Sequence, residues 1–112
     1  MIIQIFGTKK CKDSGKAIRF FKERRIQTQF IDLYEKDMSQ GELNSIKRYY
    51  SLEDLIDTEG REYEWEDLKY IKHNIEEELL ANPLLFVTPI VRSDHGVTVG
   101  HTPDVWKEWI KK

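Results

Sequence analysis

Ile2-Ile3-Gln4-Ile5-Phe6 runs into Gly7-Thr8-Lys9-Lys10, and Cys11 follows at the head of Lys12-Asp13-Ser14-Gly15-Lys16-Ala17. The first five residues are short, β-branched and bounded by glycine, which predicts a buried strand. From Lys12 to about Arg25 the apolar positions Ala17, Ile18, Phe20 and Phe21 form a helical stripe, leaving Lys16, Arg19, Lys22, Glu23 and Arg24 for water. Strand, tight loop, cysteine and helix in that order expose a thiol to the positive end of a helix, which favours the thiolate. Lys9, Lys10, Lys12 and Lys16 crowd the same spot and are expected to push the pKa further down. They also argue against the alternative that Cys11 is a small buried hydrophobe. Cys11 is therefore the candidate nucleophile. Ser14 lies one helical turn on, placed either to donate to the thiolate or simply to stabilise the helix start. Asp13 opposes the thiolate by like charge, or caps the same helix.

Outward from this segment, Thr28 to Leu33 reads as a second strand, so that the first third forms a right-handed βαβ unit with a parallel pair. Ser39-Gln40-Gly41-Glu42 has capping-box spacing and predicts a helix over about 40–49. Short helices are expected near 51–57, 64–70 and 74–81, the last ended by Asn82-Pro83. Pro89 to Arg92, then Ser93-Asp94-His95-Gly96, then Val97 to Gly100 reads as an antiparallel hairpin. Thr102-Pro103 marks the start of a closing helix whose stripe is Val105, Trp106, Trp109 and Ile110. The expected architecture is α/β: βαβ, a helical insert at about 34–82, then ββα, with a mixed sheet of about four strands in one domain spanning 1–112.

The chain has 112 residues, with hydrophobic residues at 39% and charged residues at 34%, as in a soluble globular protein. No stretch approaches the ~20 apolar residues of a membrane span, so no membrane partner is expected. The N-terminus starts directly in strand-like sequence with no signal-peptide pattern. A single cysteine excludes an internal disulfide framework; the cytoplasm is the expected location. The net charge of −2 hides an asymmetry: residues 1–31 carry eight Lys/Arg against two acids, whereas 53–78 carry eleven Asp/Glu against three bases. The acidic run reads as a solvated face. The basic segment surrounds the cysteine, where it would attract a small anionic substrate. Nucleic acid is not an expected partner, since no aromatic-basic interleaving accompanies the charge. His73, His95 and His101 show no zinc-site spacing, and no metal is expected. Trp65, Trp106 and Trp109 read as packing residues.

The ordered set Ile5-Phe6-Gly7-Thr8-Lys9-Lys10-Cys11, Lys16-Ala17, Leu55-Ile56-Asp57-Thr58, Asn82-Pro83-Leu84-Leu85, Thr88-Pro89-Ile90-Val91 and Val99-Gly100 resembles the arsenate reductase family. That family belongs to the thioredoxin-like fold and includes Spx-type transcriptional regulators and glutaredoxin-like proteins. The resemblance covers essentially the whole chain. It implies a thioredoxin-like fold, Cys11 as the reactive cysteine and a cis peptide at Pro89. The lysine-flanked Cys11 and the Thr-Pro before a strand together predict a substrate site of Thr8, Lys10, Lys12, Ser14, Lys16, Thr88 and Pro89, with Gly7, Thr8 and Gly100 on its rim and, with Pro89 cis, the Thr88 backbone facing the sulfur.

Departures from the family pattern narrow the function. Its arsenate reductases bind the oxyanion with arginines from the cysteine loop, the insert and the position before the cis-proline. Here those places hold Cys11-Lys12-Asp13-Ser14-Gly15-Lys16, Asp57 and Glu59, and Thr88. Threonine and carboxylates do not replace the guanidinium fork that an oxyanion needs. The Cys-x-x-Cys pair of the Spx switch is reduced to Cys11-x-x-Ser14. The expected function is a thiol-disulfide oxidoreductase with a lone nucleophilic cysteine and no bound cofactor, taking glutathione or another small thiol as co-substrate. The alternative is an Spx-like regulator that binds RNA polymerase without turnover.

Overall fold

The computed structural model describes residues 2–57 and 75–111. The expected helix at 64–70, with Trp65, lies outside them, as do Thr58, Glu59 and His73. Two compact units are present, one of residues 1–32 and 88–112, the other Leu33–Val87.

The first unit carries the sheet. Strand β1 (Ile2–Gly7) is followed by helix α1 (Lys12–Glu23) and strand β2 (Gln27–Asp32). Strands β3 (Ile90–Ser93) and β4 (Gly96–Val99) form the hairpin, and α5 (Pro103–Ile110) closes the chain. The order across the sheet is β2-β1-β3-β4. β1 runs parallel to β2, with Ile2 opposite Gln27 and Gly7 opposite Asp32; β3 is antiparallel to both β1 and β4. The sheet is thus mixed and four-stranded, as the βαβ–ββα order predicts. β1 is apolar nearly throughout because it lies between two partners, with Ile3, Ile5 and Phe6 all fully buried.

Ile3 and Ile5 pack with Ala17 and Phe21 of α1, Val91 of β3 and Trp106 of α5. Trp106 meets Phe20 and Phe21 at centroid distances of 5.3 and 5.4 Å. Its indole N–H donates to the buried Thr98 hydroxyl at 2.8 Å, so the largest core side chain leaves no polar atom orphaned. Val105 departs from the expected stripe. At 41% exposure it faces water, because Trp106, Trp109 and Ile110 hold the i, i+3, i+4 face and Val105 sits one residue off it.

Helix α1 stops two residues before the expected boundary. Arg25 adopts φ +58, its N–H bonds the Lys22 carbonyl at 3.0 Å, and the Ile26 N–H bonds the Phe21 carbonyl at 3.0 Å. These paired bonds are a Schellman closure with arginine where glycine is usual. The hairpin turns through Asp94-His95, with Gly96 at φ +139 and the His95 N–H bonded to Ser93 Oγ at 3.0 Å.

The second unit holds α2 (Gln40–Lys47), α3 (Leu52–Leu55), α4 (Ile75–Ala81) and a 3-10 turn at Pro83–Leu85. The expected capping box is complete: Ser39 Oγ accepts from the Glu42 N–H at 3.1 Å, and the Glu42 carboxylate accepts from the Ser39 N–H at 2.9 Å. Leu43 and Ile46 form the buried face of α2. Asn82 ends α4 and caps the following turn by accepting from the Leu84 N–H at 3.1 Å. An isolated antiparallel bridge pairs Ile56, just after α3, with Phe86 near the end of the unit.

Candidate active site

The parallel β1–α1 crossover sets the sulfur at the mouth of a helix. After β1 the chain turns through Thr8-Lys9-Lys10, closed by the Cys11 N–H on the Thr8 carbonyl at 3.2 Å. Cys11 is then the N-cap of α1 in extended conformation (φ −81, ψ 116). Its sulfur does what a serine or aspartate oxygen does at that position, accepting the Ser14 N–H at 3.4 Å. From the other side the Thr88 hydroxyl donates to Sγ at 3.1 Å. When the sulfur carries a proton, the Thr88 carbonyl is its acceptor at 3.8 Å. One residue thereby serves both protonation states.

These contacts set the electrostatics. Partial burial of the thiol opposes ionisation and is the largest single influence on its pKa. It is outweighed by the Ser14 and Thr88 hydroxyls and the backbone N–H groups of Ser14 and Asp13, and the net effect holds Cys11 below the ordinary thiol range. Of the two hydroxyls, Thr88 has hydrogen-bond geometry. Ser14 Oγ is fully buried, makes no hydrogen bond among the described residues, and acts on the sulfur only by proximity.

The expectation that lysines depress the thiol pKa needs correction. The causes that lower it are neutral donors, the Ser14 and Thr88 hydroxyls and the Ser14 and Asp13 N–H groups, rather than the flanking charges. Lys9, Lys10 and Lys12 are exposed, while Lys16, 55% exposed, stands 3.7 Å from Asp13. Charges that far into water are screened, whereas N–H and O–H groups touching the sulfur are not. Asp13 is not the helix cap; Cys11 is.

Thr88-Pro89 is a cis peptide, as the resemblance implies. Pro89 is buried, and its carbonyl accepts the Gly100 N–H at 2.8 Å, where Gly100 takes φ +85 at the end of β4. That bond fastens the segment presenting Thr88. Gly7 differs from the expected rim role. A Cβ there would stand 2.2 Å from Ser14 Oγ and 2.8 Å from Ser14 Cβ, so its close approach is to the first turn of α1. Sequence reasoning missed this pairing, although a glycine at a strand end facing a small residue in the next helix was a readable signal.

Arg92 does not supply the missing oxyanion ligand at the cysteine loop. Its guanidinium donates to Gln4 Oε1 and lies 5.6 Å from the Phe6 ring centroid. His101 lies edge-on to Trp106 at 5.6 Å. Among the described residues no cluster of three metal-ligating side chains occurs, and no helix is long and apolar enough to cross a membrane.

Neither a family model nor a curated protein matches the sequence. Solved structures do match in fold. The YffB protein is 18% identical, with TM-score 0.85 over 97% of this chain and 99% of that one. An arsenate reductase from Vibrio cholerae is 19% identical, with TM-score 0.80 over 96% and 97%. A glutaredoxin from Archaeoglobus fulgidus is 12% identical, with TM-score 0.50 over 98% and 86%. The fold is thioredoxin-like, of the kind seen in arsenate reductase-like proteins.

Proposed function

We propose that this protein is a cytoplasmic thiol-disulfide oxidoreductase that uses Cys11 as its lone nucleophile and a small thiol such as glutathione as reductant. The observation that carries the reading is the sulfur held between the Thr88 hydroxyl at 3.1 Å and the Ser14 N–H at 3.4 Å, with its pKa lowered. The Cys11 thiolate attacks one sulfur of a disulfide, that S–S bond breaks, and the departing thiolate takes its electron pair. Cys11 is left in a mixed disulfide. A small thiolate then attacks the outer sulfur, returning Cys11 to its thiolate and leaving as a new disulfide. Lys10, Lys12 and Lys16 give a cationic surround for an anionic thiol, Thr8 and Thr88 line its approach, and the buried Ser14 and Pro89 support the sulfur and Thr88 from behind. The folds shared with an arsenate reductase and a glutaredoxin support sulfur chemistry at this place. The Thr88 hydroxyl, standing where an oxyanion-binding arginine is expected, weighs against arsenate as substrate.

Incubation with glutathione disulfide should yield one adduct on Cys11 by mass spectrometry, none on a Cys11→Ser variant, and turnover when glutathione is added. A thiol that titrates at the free-cysteine value of about 8.5 and forms no adduct would overturn the reading. The lone cysteine in Cys11-x-x-Ser14 favours a second reading, an Spx-like regulator that binds RNA polymerase. Polymerase capture that survives Cys11→Ser, without turnover, would select it.

A further inference from the structure

We propose a second ligand site at the opposite end of the sheet from Cys11, one that takes an anionic, planar aromatic small molecule of about mononucleotide size. It is a cavity of about 710 Å³ lined by Arg24, Arg25, Ile26, Gln27, His95, Trp109, Ile110 and Lys111. That volume lies within the ~300–1,000 Å³ typical of small-molecule pockets.

Its place follows from the strand register. Gln27 pairs with Ile2 at the amino end of β1, while Cys11 follows the carboxyl end. The Asp94-His95 turn falls at the same amino end, because Arg92 pairs with Gln4 and β3 runs antiparallel. A six-residue strand spans about 20 Å, so the cavity is too distant to share a ligand with the sulfur. This inference is therefore independent of the proposed thiol chemistry.

The chemistry of the lining names the ligand. Arg24, Arg25 and Lys111 are cationic, and no acidic side chain among the described residues lines the cavity. Trp109 gives an aromatic surface half-buried against the core, flanked by Ile26 and Ile110, which suits a flat apolar group. Gln27 adds an amide that both donates and accepts. Arg24 is held in place, its Nη1 donating to the Phe20 carbonyl at 3.0 Å and its guanidinium 3.8 Å above the Phe20 ring. Arg25 is the independent observation. It occupies the left-handed cap position of α1 at φ +58, where glycine costs less, and it is one of the residues that line the cavity. A strained residue in the lining of a basic, aromatic pocket is the pattern expected where binding rather than stability selects the residue.

The test titrates adenosine 5′-monophosphate into the full chain while following backbone amide and indole N–H resonances by NMR. Adenosine and inorganic phosphate serve as separate arms. Saturable shifts at Gln27, His95 and the Trp109 indole are expected. Adenosine alone or phosphate alone should bind at least about tenfold more weakly, because each keeps only one of the two contact types. Arg25→Gly, which suits the backbone there, and Lys111→Glu should each weaken binding several-fold while leaving the remaining spectrum in place. Added salt should weaken it too. Absence of saturable shifts at these residues, shifts confined to the cysteine loop, or unchanged affinity in both variants would overturn the site.

Discussion

Replacing Thr88 by valine tests the claim that neutral donors, not lysines, hold Cys11 as a thiolate. The substitution keeps the β-branched shape and removes only the hydroxyl that donates to Sγ at 3.1 Å. A hydrogen bond to a charged group is worth about 1.5–3 kcal/mol. Sulfur is a weak acceptor, and water that reaches the part-buried thiol replaces some of the lost donation, so the expectation is about 1 kcal/mol. At a pH below the pKa, that lowers the thiolate population about fivefold. The assay is pseudo-first-order alkylation by iodoacetamide at several pH values, with Thr88→Ser as the control that restores a hydroxyl. Stability gives a second readout with a definite sign. Because the folded thiol ionises more readily than the unfolded one, between the two pKa values the unfolded chain keeps a proton that the native chain has lost. Stability therefore rises with pH across that window, and the gain is lost as pH falls through the folded pKa. Thr88→Val should narrow the window and flatten the rise. An alkylation rate unchanged in Thr88→Val, or one that falls on neutralising Lys10, Lys12 and Lys16 instead, would refute the assignment.

Three further outcomes follow from the packing. Gly7→Ala should cost about 1–3 kcal/mol or more in urea denaturation, since its Cβ meets Ser14 Oγ at 2.2 Å, and Ser14→Gly in the same chain should recover most of the loss. Arg25→Gly should raise stability by about 0.5–1 kcal/mol, the relief of a left-handed arginine less the added freedom of the unfolded chain; a lower melting temperature would contradict the Schellman reading. Thr98→Val leaves the Trp106 indole N–H without its 2.8 Å acceptor in a fully buried place, and should cost about 1–3 kcal/mol by the same measurement, with Thr98→Ser near wild type.

The strands, the capping box at Ser39 and the closing helix were legible because each rests on local rules: alternation, cap chemistry and a proline at the first helical turn. The end of α1 was not. Nothing in Lys22-Glu23-Arg24-Arg25 announces a stop, because the usual signal is glycine and Arg25 adopts the left-handed conformation without it. Val105 misled for a related reason. Apolar identity placed it on the stripe, whereas in a helix anchored by Trp106 the adjacent residue points away. The Ile56–Phe86 bridge joins residues thirty apart, and no local pattern encodes such a pairing.

The candidate site shows the same division more sharply. Cys11 as the head of α1 could be read directly, since strand, loop, cysteine and helix form one contiguous segment. What activates it could not. Four lysines within five residues of the sulfur look like its electrostatic environment on paper, yet a lysine is long, flexible and drawn to water, and its neighbourhood in sequence decides little about its distance from a sulfur. The donors that touch Sγ are a backbone N–H three residues on and a hydroxyl seventy-seven residues away. Short, neutral and fixed by the fold, these groups act at full strength where exposed charges are screened. A site built this way should keep its thiolate at high salt, where one built on lysines would lose it. Alkylation rates of Cys11 measured against sodium chloride therefore separate the two, and a steep fall in rate with salt would return the lysines to the mechanism.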